Sequence, residues 1–96
     1  MLVKQIYELL KQAELVDTLE KYSTLWLNKH KSTASYLIHK NKDLSINTKV
    51  NCLNNTNYHL KNINQRSLQN TLNSNILINL QKIKKTLEEN ILKNFD

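Results

Sequence analysis

Apolar residues recur every three or four positions along most of this chain, and the phase of that recurrence resets several times, which divides the chain into helices. Leu2, Ile6, Leu9, Leu10 and Ala13, separated by Lys4, Gln5, Glu8 and Lys11, predict an amphipathic N-terminal helix. Asp17 and Glu20 have the D-x-x-E spacing of a capping box, which predicts a second helix starting at Thr18 with Leu19, Tyr22 and Trp26 on one face. Asn28-Lys29-His30-Lys31 breaks the pattern, and Asn28 suits the left-handed conformation that ends helices. Ser32 or Thr33 is suited to cap a third helix, from about Thr33 to Lys40, with Ala34, Leu37 and Ile38 pointing inward. Asn41-Lys42-Asp43 reads as a turn, and Ser45 as the N-cap of a fourth helix bearing Ile46, Val50 and Leu53.

Asn54-Asn55-Thr56-Asn57 predicts a loop or break, because all four residues favour caps and turns over helix interiors. From about Gln65 an apolar stripe resumes as Leu68, Leu72, Ile76, Leu80, Ile83, Leu87 and Ile91. A helix of that length reaches roughly 45 Å, longer than a core of four short helices covers. The expected fold is therefore all-α, a domain of four short helices over residues 1–57 followed by a C-terminal helical dimerisation segment over 58–96, whose long amphipathic helix starts at about Gln65. Leu72, Ile76, Leu80, Ile83, Leu87 and Ile91 are expected to meet a second copy in a homodimer, folding back onto the chain's own helices being the alternative. Asn73 and Asn90 interrupt the stripe, which favours globular packing over a regular coiled coil.

Composition sharpens this picture. The 96 residues include neither Gly nor Pro, so nothing forbids helix anywhere and any left-handed turn must use another residue. The net charge is +6, which favours a polyanionic partner. It is unevenly placed: residues 1–27 sum to −1, and 28–49 to +4 through Lys29, Lys31, Lys40, Lys42 and Lys49 against Asp43. One cysteine, Cys52, permits no intrachain disulfide and fits a reducing compartment. No apolar run reaches the length of a membrane span, and the expected location is cytoplasmic, at the nucleoid, with no membrane partner.

Two short helices joined by a polar turn, the second carrying small hydroxyls and cations and followed by a Ser-capped helix, have the layout of a helix-turn-helix. Trp26-Leu27, Ser35-Tyr36-Leu37 and Ser45 within Leu15 to Leu53 resemble the helix-turn-helix of phage-repressor-like transcription regulators, short bacterial and phage proteins. The turn glycine of that family is Asn28 here, and its proline before the capping serine is Leu44. The resemblance implies sequence-specific binding of double-stranded DNA by a recognition helix spanning about residues 32–41, with the transcription machinery as a further partner.

The residues themselves suit that role. A helix entering a major groove about 12 Å wide needs short hydrogen-bonding side chains on its outer face, which Ser32, Thr33, Ser35, Tyr36, His39 and Lys40 supply. Lys29 and Lys31 before the helix, and Lys42 and Lys49 after it, are placed to neutralise phosphates. Catalysis is not expected, because no Ser, Cys or Lys lies near an evident activating partner. No metal or cofactor is expected either: His30, His39, His59 and Cys52 match no compact ligand spacing. The competing reading from another class is a protein-binding adaptor whose long C-terminal helix docks in a partner's groove.

Overall fold

The computed structural model describes residues 1–65 and 71–93, with side chains described for 1–62 and 75–93. Five α-helices are present among these residues: α1 (Leu2–Gln12), α2 (Leu19–Lys21), α3 (Thr33–His39), α4 (Ile46–Gln65) and α5 (Thr71–Lys93). The all-α expectation holds, and there is no strand among the described residues. Helix α2 runs directly into a π-helical turn, Tyr22–Trp26, closed by the Leu27 N–H donating to the Tyr22 carbonyl at 3.2 Å. The widening has a local cause. The hydroxyls of Ser23 and Thr24 donate back to the carbonyls of Leu19 and Glu20, four residues earlier.

Without glycine, the chain turns at Glu14, Asn28 and Asn41, whose φ angles are 60°, 56° and 58°. Asn28 is the expected terminator; the asparagines tolerate this region through their short polar side chains. Helix α2 starts as expected near Thr18, but the capping residue is Thr18 itself, whose Oγ1 accepts the Lys21 N–H at 3.1 Å. Asp17 instead pairs with Lys21 at 3.2 Å, one helical turn away on the surface. Ser45 caps α4, its Oγ accepting the Thr48 N–H at 3.3 Å.

The expected break at Asn54 to Asn57 does not occur, and α4 continues for 20 residues. Tertiary partners override the local preference. Asn55 donates its amide to the carbonyls of Leu25 and Trp26, at 3.2 and 2.9 Å, and so satisfies the end of the π-turn. Thr56 is buried and donates to the Cys52 carbonyl at 2.8 Å. An unbroken α4, about 30 Å long, gives α5 a partner nearly as long as itself.

That changes the fate of the C-terminal stripe. Leu80, Ile83 and Leu87 are fully buried within this chain, in one cluster with Leu2, Val3, Ile6 and Leu10 of α1 and Cys52 and Leu60 of α4. Ile76 is half-buried against the same cluster, and Ile91 is also half-buried. The side chain of Leu72 and the whole of Leu68 lie outside the described residues. Leu80, Ile83 and Leu87, expected to meet a second copy, are thus core residues of the single chain, and α4 supplies part of their cover. The boundary drawn between residues 57 and 58 falls inside that helix.

The N-terminus of α1 is closed from a distance. Asp43, in the loop before α4, accepts the N–H groups of Leu2 and Val3, each at 2.9 Å. Partial burial opposes ionisation of this carboxyl, but N–H donors from Leu2, Leu44 and Val3 and the N-terminal ammonium outweigh it and hold the pKa below the usual value. The stabilisation is therefore fully present above the ordinary carboxylate range and is lost as pH falls through the lowered value. Asp43→Ala is expected to cost about 1 kcal/mol at neutral pH, the worth of a helix cap. Urea titrations at neutral pH and near pH 3 check this: the gap between variant and parent should narrow in acid, and a constant gap would remove the carboxylate from the account.

Candidate nucleic-acid interface

Helix α3 is two-faced. Ala34 is fully buried and Leu37 and Ile38 are half-buried against the core, whereas Ser35, Tyr36 and His39 are exposed on the opposite side. Ser32, at the N-cap position, continues that outer face at i, i+3, i+4 and i+7 spacing, and Lys40 closes it at the far end. Thr33 is half-buried and stands at its margin.

The helix is held in place by a residue that the sequence pattern did not single out. Ser23, fully buried in the π-turn, accepts the Ala34 N–H at 2.9 Å while its own hydroxyl donates to Leu19. It does from a neighbouring helix what an N-cap side chain does locally. Ser32 makes no side-chain cap bond, contrary to expectation. Its backbone N–H donates to His30 Nδ1 at 3.3 Å and its Oγ lies 2.9 Å from the same nitrogen, so the pair fixes the turn between α2 and α3. Ser23 was legible as a hydroxyl between Tyr22 and Trp26 on an otherwise apolar face.

Cations border the outer face on both sides. Lys29 and Lys31 are exposed in the turn before α3, and Lys40 and Lys42 at its end. Lys42 Nζ stands 6.0 Å from the centroid of the Tyr36 ring, which is half exposed at 50%. Lys49 is half-buried on α4. Behind this region Trp26 is buried and stacks on His59, with ring centroids 4.8 Å apart. Burial depresses the His59 pKa, and burial pushes the Cys52 thiol up to about 12. Among the described residues, no three His, Cys, Asp or Glu side chains stand close enough to hold a metal ion.

The model of a protein family described as a family of unknown function, DUF6626, matches residues 3–95. The chain belongs to the DUF6626 family. No curated protein and no solved structure matches it. Among the described residues of this DUF6626 chain the match takes in α1, save Leu2, and all of α2 to α5, so α5 belongs to the same family unit as α1 to α4. No helix among the described residues is long and apolar enough to cross a membrane. The turn of this DUF6626 protein runs over residues 27–32, longer than the three or four residues usual in a helix-turn-helix.

Proposed function

We propose that this DUF6626 protein is a transcription regulator that binds duplex DNA sequence-specifically, with α3 in the major groove. The observation that carries the reading is the outer face of α3: Ser35, Tyr36 and His39 are exposed between Lys29 and Lys31 on one side and Lys40 and Lys42 on the other. Hydroxyl, phenol and imidazole groups donate to and accept from base edges, and lysines neutralise phosphates without reading sequence. Helix α3 has 7 residues, about 10 Å of helix, and fits the groove while Ala34, Leu37 and Ile38 anchor it from behind. The adaptor reading drew on the α5 stripe, and Leu80, Ile83 and Leu87 of that stripe are occupied inside the chain.

Selection from a random duplex pool, followed by titration at several salt concentrations, tests the proposal. The expected result is a preferred sequence and a steep salt dependence. Ser35→Ala or Tyr36→Ala should then relax base preference at particular positions, by about 1–3 kcal/mol for each good hydrogen-bonded pairing with a base edge that is removed. Replacing any one of Lys29, Lys31, Lys40 or Lys42 by Ala should weaken binding to all sequences and lower the salt slope by about one unit. Retention of the full preference by both α3 variants would remove α3 from the interface.

A further inference from the structure

Leu80, Ile83 and Leu87 of α5 face inward, yet an apolar strip beside them remains uncovered. Ile46 and Val50 are 38% and 40% exposed, and with half-buried Leu53 they form one row along α4. The row continues across to α5 through a shallow groove of about 190 Å³ lined by Leu53, Glu88, Ile91 and Leu92, the last 64% exposed. Lys49, three residues after Ile46 and four before Leu53, lies on the same side. The strip starts where the loop leaving α3 enters α4.

We infer that this strip pairs two copies of the chain on adjacent DNA half-sites, an inference that rests on the DNA-binding reading above. Two features commit it to a second copy. The strip carries a cation, Lys49, and an anion, Glu88, and among the described residues the ion pair found is Lys21 with Asp17, so these two are not joined within the chain. A two-fold axis through the strip sets each Lys49 against the other copy's Glu88, so the surface is complementary to itself, as an isologous contact requires. The second feature is size. About 10 Å along α4 and one helix width of about 10 Å across to Leu92 give on the order of 100 Å² per copy, well below the roughly 800 Å² per partner of a standard stable interface. Free chains therefore stay monomeric, and pairing appears when DNA holds two copies at high effective concentration.

The test compares binding to a duplex carrying one selected half-site with binding to duplexes carrying two, spaced by about 10 base pairs or a multiple. Wild type should fill the second site about 10- to 100-fold more tightly than an isolated one, and sediment as a monomer at tens of micromolar without DNA. Val50→Ser with Leu92→Ser, both on exposed positions, should keep single-site affinity and lose the gain. Glu88→Lys should also lose it, and Lys49→Glu with Glu88→Lys should restore it. Equal wild-type affinity for single and paired sites at every spacing overturns the pairing and leaves DNA binding intact, the strip then being free for a different protein. A free dimer that survives the two serine substitutions overturns it as well, by assigning association to another face. Absence of binding to any duplex overturns both readings.

Discussion

Replacing Leu80 and Ile83 together by Lys is expected to unfold the protein, and not to release a folded monomer from a dimer. Both side chains have no exposed surface in the single chain and sit in the cluster shared by α1, α4 and α5. Truncating one such residue to Ala costs about 2–5 kcal/mol through lost transfer energy and the cavity left behind. Two buried ammonium groups add a desolvation penalty that no carboxylate in the cluster offsets. The total exceeds the roughly 5–15 kcal/mol by which domains are stable. Far-ultraviolet circular dichroism and a thermal melt read the outcome, with Leu92→Lys, on an exposed position, as the control that stays folded. A double variant with native helicity and a cooperative melt would show that the stripe is covered by a second chain after all.

The second large effect is expected from Ser23→Ala. This hydroxyl joins two backbone groups, accepting from Ala34 and donating to Leu19, both at 2.9 Å and with no exposure to solvent. Alanine leaves the Ala34 N–H buried without a partner, which costs about 1–3 kcal/mol. It also removes the link that orients α3. Chemical denaturation should show the loss of stability, and duplex titration should show base preference falling more than salt slope, because the lysines flanking α3 keep their charge. A variant as stable as its parent would mean that something other than Ser23 holds the start of α3.

The helices, their inward faces and the turn at Asn28 were legible because each depends on neighbours three or four residues away. The inward set Ala34, Leu37 and Ile38 fixed which side of α3 faces out, and with it the candidate site. What local pattern could not show were bonds made across the fold. Asn54 to Asn57 read as a break because isolated Asn and Thr compete with helix; here Asn55 is engaged by the Leu25 and Trp26 carbonyls, 30 and 29 residues away. The expectation that α5 lacks cover within the chain follows from the same cause. A fourth helix ending at Asn54 leaves α5 without cover, whereas one reaching Gln65 supplies it. The bond that Ser23 accepts from Ala34 spans 11 residues and the turn before α3, beyond the reach of helical periodicity.

The remote ties on α1 also bear on how the chain is made. Its first turn is closed by Asp43, 41 residues after Leu2, and the Gln12 carbonyl at its other end accepts from Asn75, 63 residues on. At about 5–20 residues per second of synthesis, Asp43 is added roughly 2–8 s after Leu2, and Asn75 later still. During that interval Val3, Ile6 and Leu10 have only partners such as Tyr22, Trp26 and Leu27 to pack against, since α4 and α5 do not yet exist. Helix α1 is thus made before the α4 and α5 residues that complete its cover, so an unfinished chain presents part of the apolar face of α1 to the cell until α5 is made.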